Sequence, residues 1–209
     1  MDPAREEVGV AITPERVKDL RQRTGAGIMD CKRALEEANG DIERAIECLR
    51  EQGIMRASRR EARPTAAGVV ASYIHAGGKI GVLVEANCET DFVARTPEFR
   101  SFAHEVAMQI AAQQPLYLSR EDVPDAVRDK EREIYRVQTL HEGKPEKVIE
   151  RIVEGKLEKF YQDVCLLEQP FIRDPDQTIE DLRKEVSAKT GENIRIRRFA
   201  RFQLGESEG

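Results

Sequence analysis

The run from Ile80 to Ala86 constrains this chain more than any other stretch, because it is almost unbroken in apolar residues. Ahead of it, Ala76-Gly77-Gly78-Lys79 reads as a turn. Ahead of the turn, Val69, Ala71, Tyr73 and His75 alternate with Val70, Ser72 and Ile74. Period-two alternation, a glycine-rich turn and a second apolar run make a β-hairpin with a well-buried second strand. The Gly77-Gly78-Lys79 triplet lacks the spacing and the following Ser/Thr of a phosphate loop, and a strand rather than a helix comes after it.

Helical patterns lie on both sides of the hairpin. Thr13-Pro14 pairs an N-cap with a proline at the first helical position; Val17 and Leu20 share one face, and Gly25 ends the helix. A second helix aligns Cys31, Ala34, Leu35 and Ala38 before Asn39-Gly40 stops it. Asp41 caps a third with Ile42, Ala45, Ile46 and Leu49 on one stripe, closed by Gly53. Residues 10–53 thus predict a three-helix module. Residues 54–65 carry Arg56, Arg59, Arg60 and Arg63 and end near Pro64, which reads as a basic linker, with a phosphate-binding arm as the alternative.

Beyond the hairpin, Thr96-Pro97 opens a helix with Phe99, Phe102, Ala103, Val106 and Ile110 on its stripe, stopped by Pro115. Ser119 and Asp122 form a capping-box pattern. A polar helix runs from about Asp125 to Leu140, and another carries Val148, Ile149, Ile152, Val153, Leu157 and Phe160. Residues 164–172 read as a strand broken by Pro170. Thr178 with Asp181 caps a last helix ending at Gly191, and Asn193 to Leu204 make the final strand. Strands in hairpin order mixed with helices predict an α+β core of antiparallel sheet over residues 66–205.

The chemistry-bearing residues are sparse. Cys31, Cys48, Cys88 and Cys165 form no C-x-x-C pair, and His75, His104 and His141 have no second ligand at metal spacing, so neither a metal site nor a cofactor is expected. There is no nucleophile elbow and no dinucleotide fingerprint. Cys88 beside Glu89 reads either as an exposed nucleophile or as a small core residue at a strand end. No acid/base pair stands out, since 39 acidic against 34 basic residues, a net charge of −5, offer carboxylates everywhere. An enzyme is therefore not expected. The first residues, Met1 to Glu7, lack the pattern of a secretion or transit segment, and no apolar run approaches the ~20 residues of a membrane span, so a cytoplasmic protein is expected. In the last strand, Arg195, Arg197, Arg198 and Arg201 interleave with Phe199 and Phe202. That pattern suits an RNA-binding sheet or, alternatively, arginines paired with surface carboxylates.

The segment Glu89 to Arg95 is locally odd. It joins a buried strand to the Thr96-Pro97 helix start, and so short a connection does not easily bury Phe92 while leaving Asp91 in water. An aromatic beside a carboxylate on a rigid turn makes a wedge for a partner's groove; the alternative is that Phe92 folds back onto its own core.

Three stretches carry a family likeness: RTGAGIMDCKRAL from Arg23 to Leu35, VEANCETDFVA from Val84 to Ala94, and EGKLEKF from Glu154 to Phe160 running into LEQPF from Leu167 to Phe171. In this order they resemble bacterial elongation factor Ts. The resemblance implies a guanine-nucleotide exchange factor that binds elongation factor Tu in its GDP-bound and nucleotide-free forms. It implies that the N-terminal module is ubiquitin-associated-like and docks through Arg23, Thr24, Gly25, Ala26, Gly27, Met29, Asp30 and Lys32. It assigns Thr90, Asp91, Phe92 and Val93 to the segment that displaces the partner's magnesium. Longer members duplicate part of the core and carry a coiled-coil insertion, for which this chain has no room; it resembles the short form, and a homodimer is expected from that. The contrasting function is an RNA-binding translation accessory protein, although neither a membrane nor a direct nucleic-acid partner is expected.

Overall fold

The computed structural model describes residues 12–24, 26–58 and 60–206, with the backbone alone for 54–58. Gly25, Arg59, the Arg56 side chain and the residues up to Ala11 lie outside the described residues. The chain divides into two compact units. One holds the described residues up to Arg63 with Lys184–Asn193, the other Pro64–Arg183 with the described residues from Ile194 on.

The first unit is a three-helix module: α1 (Pro14–Thr24), α2 (Ile28–Glu37) and α3 (Ile42–Ser58). Leu20, Cys31, Ala34, Leu35, Ala38 and Ala45 form its buried centre. Those are the stripes read from periodicity, and Asp41 accepts the Arg44 amide as the cap of α3 (3.0 Å). Gly53 does not end α3, which continues to Ser58. A Cβ at Gly53 would lie 3.0 Å from Ala188 Cβ, so the glycine marks close approach to the last helix and not a terminus. The segment after α3 is held as well: Arg60 donates to the Ser187 carbonyl (3.1 Å), and Asn193 donates to the carbonyls of Glu61 (3.1 Å) and Arg63 (2.8 Å).

The second unit is built on an antiparallel sheet of β1 (Ala67–Ile74), β2 (Ile80–Cys88) and β5 (Arg195–Gln203), with β2 central. The hairpin register pairs Ala71 with Val84, and β2 pairs Leu83 with Ala200. Helix α5 (Pro97–Gln113) packs on one face, where Val82, Val84, Ala86 and Cys88 meet the level of Phe99, Phe102, Val106 and Ile110. The prediction of a well-buried β2 holds for that face alone. Leu83 is exposed on the other, as are Val70, Ile74 and Phe202. An apolar run signals burial on both faces only if both are covered, which composition does not report.

Residues 164–172 are not a strand. Helix α7 (Glu146–Val164) runs to Val164, Leu166–Glu168 is a single 3₁₀ turn between the extended Cys165 and Gln169, and Pro170–Phe171 (β3) pairs with β4 (Asp174–Thr178). Cys165 and Leu166 are buried whatever the backbone does, so the apolar run did not discriminate. Strand β4 has no alternating pattern to betray it. Contrary to the expectation from length, the chain does have room for a long helical pair. Helix α6 (Asp125–His141) and α7 form an antiparallel pair, seamed by Tyr135, Ile149, Val153, Leu157 and Tyr161 and bridged by Arg132–Glu154 (2.7 Å) and Arg136–Glu150 (3.9 Å). Thr178 and Asp181 cap α8 (Ile179–Thr190) reciprocally, as their spacing predicts.

Candidate functional site

Between β2 and α5 lies α4, the four residues Asp91–Ala94. A single helical turn is not stable alone, because nucleation fixes several dihedrals for one hydrogen bond. Its stability comes from both flanks. Thr90 is the N-cap, its Oγ1 accepting the Val93 amide (3.4 Å). The Thr90 carbonyl accepts the Ala94 amide (3.2 Å) and the thiol of Cys88 (3.2 Å), which is wholly buried at the end of β2. This resolves the two readings of Cys88 in favour of the core residue. At the other end, Thr96 Oγ1 donates to the Val93 carbonyl (2.8 Å) and accepts the Phe99 amide (3.3 Å), so one hydroxyl closes α4 and opens α5. Arg100 donates to the Ala94 carbonyl (3.4 Å).

The turn is divided cleanly between two faces. Val93 and Ala94 are buried and anchor it. Phe92 is 82% exposed, so it does not fold back onto its own core. Asp91 is exposed and paired with Arg95, which is exposed too. At about 100° per residue, Arg95 stands about 40° from Asp91 around the helix axis and Phe92 about 100°. One outward face therefore carries an anion, a cation and an aromatic ring. Arg95 was not singled out from sequence, although its i,i+4 spacing from Asp91 was the available signal.

In the N-terminal unit, α2 begins without a side-chain cap at Gly27. Thr24 turns its hydroxyl back to the Leu20 carbonyl (2.8 Å) and accepts the Ala26 amide (3.3 Å), holding the approach to α2. Arg23 pairs with Asp19 and Glu43 (3.3 Å each), Asp30 with Arg33 (3.8 Å) and Lys32 with Glu36 (3.8 Å). Met29 is exposed, and so is Ile28, which the sequence reading passed over. Ile28 stands three positions before Cys31, in phase with the Cys31–Ala34–Leu35–Ala38 stripe, so helical periodicity places it inward and gives no signal of its exposure.

Elsewhere, Arg198 (2.7 Å) and Arg197 (3.3 Å) of β5 converge on Glu85. The Arg198 hydrogen bond, helped by the charge of Arg197, holds that carboxylate below its usual range. These arginines thus meet a surface carboxylate, the second of the two sequence readings. Among the described residues no group of three His, Cys, Asp or Glu side chains is arranged to hold a metal ion, and no helix is long and apolar enough to cross a membrane.

Comparison with known proteins covers nearly the whole chain. Residues 14–206 match the family described as Elongation factor TS. The chain is 65% identical to elongation factor Ts of Carboxydothermus hydrogenoformans over 195 residues, covering 93% of this chain and 90% of the relative. It is 63% identical to elongation factor Ts of Caldanaerobacter subterraneus subsp. tengcongensis, covering 93% and 98%. With elongation factor Ts of Moorella thermoacetica the identity is 60% over 190 residues, covering 91% and 94%.

Proposed function

The chain belongs to the elongation factor Ts family, and from that premise we propose that it is a guanine-nucleotide exchange factor of translation elongation, acting in the cytoplasm on elongation factor Tu. It binds the GDP-bound partner, displaces Mg²⁺ from the partner's nucleotide site and stabilises the nucleotide-free form. The observation that carries this reading is the 82% exposure of Phe92 on a turn pinned at both ends. A large aromatic held in water costs solvation and contributes little to its own fold. Buried in a partner, it would contribute on the order of 4 kcal/mol from its apolar area.

The mechanism needs no covalent chemistry. Phe92 enters between elements of the partner's nucleotide domain, with Thr90 and Val93 fixing its direction from the two ends of the turn. Asp91 perturbs the surroundings of the partner's Mg²⁺, an ion that demands near-ideal octahedral oxygen ligation, so a small shift of its ligands or waters costs much of its binding. Losing the ion leaves the diphosphate and nearby acidic groups in mutual repulsion. Linkage then sets the limit: the factor weakens nucleotide binding by the same ratio in which nucleotide weakens binding of the factor. The N-terminal module supplies a second contact through Arg23, Thr24, Gly25, Ala26, Gly27, Met29, Asp30 and Lys32, with exposed Met29 as its apolar centre.

A homodimer is part of the proposal. The sheet face opposite α5 exposes Val70, Ile74, Leu83 and Phe202, a patch a second copy would cover. A monomer mass by light scattering at micromolar concentration, with a one-to-one complex, would count against it.

The test is release of fluorescent GDP from purified elongation factor Tu with this protein and with Phe92→Ala. Strong acceleration by the first and a sharp loss in the second, with an unchanged melting temperature, is expected. No acceleration by the unmodified protein overturns the function. Equal acceleration by both moves the mechanism to other contacts.

A further inference from the structure

We infer that Arg95 is a third contact residue of the exposed α4 face, carrying the charge of Asp91 into the partner interface as an intact ion pair and so setting the affinity of the complex. The inference rests on the exchange reading above and adds a residue and a division of labour to it.

Arg95 is the C-cap of α4 and keeps helical dihedrals (φ −94°, ψ −10°), so its side chain stays in phase with the turn. It lies angularly between Asp91 and Phe92, while Val93 and Ala94 occupy the buried side. A groove that receives Phe92 must cover its angular neighbours as well. Asp91 and Arg95 therefore lose water when Phe92 does. A carboxylate desolvated alone is costly; a hydrogen-bonded guanidinium offsets part of that cost, and taking it away leaves a buried charge uncompensated. The partner for that compensation is already present, made within the same helical turn.

In the free protein the same pair does little. Both side chains are more than two-thirds exposed (74% and 69%), and ion pairs in that setting contribute next to nothing to folding. An interaction negligible in water and large when dry is the signature of a group whose work lies in a complex. The alternative is that Arg95 holds Asp91 back from the partner's metal surroundings. The two differ in sign: compensation predicts weaker binding on losing Arg95, and restraint predicts faster exchange.

The experiment measures fluorescent-GDP release from elongation factor Tu across a range of full-chain concentrations. This separates the half-saturating concentration from the plateau rate. Arg95→Met keeps the apolar stem and removes the charge; it should raise the half-saturating concentration on the order of 30-fold and leave the plateau in place. Arg95→Lys should restore affinity to within about threefold. The double variant Asp91→Asn/Arg95→Met should bind better than the product of the single effects predicts, because neither charge is then left alone. Circular dichroism melting of every variant should match the unmodified protein. An unmodified protein without activity sinks the exchange reading, and this inference with it. Activity in the unmodified protein with Arg95→Met unchanged in half-saturation, or with a raised plateau, or with strictly additive single effects, overturns the Arg95 assignment alone.

Discussion

Replacing Gln109 tests how the second unit holds β3 against α5. Gln109 is wholly buried on α5. Its Nε2 donates to Gln169 Oε1 (3.2 Å) and the Pro170 carbonyl (3.1 Å), and its Oε1 accepts the Ile172 amide (2.9 Å). Gln169 in turn donates to the carbonyls of Asp163 (3.0 Å) and Gln113 (3.4 Å). Gln109→Leu leaves one amide and two carbonyl-type oxygens without their partners. At roughly 1 kcal/mol each, the low end for groups that water partly reaches, the loss is about 2–4 kcal/mol. For a domain of this size that lowers the melting temperature by roughly 5–15 °C. Gln109→Glu sharpens the test. A carboxylate still accepts from Ile172, but only its protonated form can donate towards Gln169 and Pro170. Its folded pKa must then lie above the unfolded value of about 4.3. A raised folded pKa means that stability is fully present below the unfolded pKa and is lost as pH rises through the folded one. The deficit relative to the unmodified protein should therefore widen between about pH 5 and about pH 8. Urea unfolding followed by circular dichroism reads both variants. A Gln109→Leu protein as stable as the parent, or a pH-independent Gln109→Glu deficit, would refute the reasoning.

Glycine and cysteine substitutions give further checks. An added Cβ at Gly68 would sit 2.2 Å from the Ala86 carbonyl oxygen and 2.8 Å from Asn87 Cα, both backbone of the central strand, at a φ of +152°. Gly68→Ala should cost at least about 3 kcal/mol or prevent folding, as severe core strain does. Gly53→Ala meets only the Ala188 methyl and gains about 1 kcal/mol of helix propensity, so its net effect on thermal melting should stay within about 1 kcal/mol. The reverse order of the two would refute the packing argument. Among the thiols, Cys31, Cys88 and Cys165 are buried, and burial pushes the Cys165 thiol up to about 12. Cys48 is reachable, but its bond to Glu37 (3.1 Å) and burial raise its pKa. Native protein should therefore show at most one slowly reacting thiol with a disulfide reagent, against four after unfolding. Glu37→Gln should speed that reaction near pH 8, and an unchanged rate would remove Glu37 as the cause.

The features legible in sequence were those settled within a few residues. Thr13, Asp41, Thr96 and Thr178 read as helix starts from their own spacing, and each accepts the local amide expected of it. A cap depends on one side chain and a backbone amide two or three positions on, so nothing distant can overrule it. Gly53, Leu83 and residues 164–172 were misread because their meaning comes from elsewhere in the chain: the approach of Ala188, an uncovered sheet face, and a helix that runs on into an apolar stretch. At α4 the limit was length. Four residues are too few to carry a period, so Phe92 and Val93 were interchangeable as inward or outward residues until the two flanks were in place.

Those flanks also determine how α4 would work in the proposed exchange reaction. A mobile loop presenting Phe92 would lose conformational entropy on binding, about 0.5–1.5 kcal/mol for each side chain immobilised and more for the backbone. Here the backbone cost is met during folding, by the Cys88 thiol, the Thr90 cap, the Thr96 hydroxyl and the Arg100 guanidinium, all fixed to β2 or α5. The exposed residues are thereby free of structural duty, and the buried ones are free of contact duty. Substitutions should then fall into two kinds. Changes at Asp91, Phe92 or Arg95 alter exchange at constant stability, whereas changes at Cys88 or Thr96 lower stability and exchange together. A single variant of the first kind that unfolded the second unit would show that the turn depends on its outward face, and the division of labour would fail.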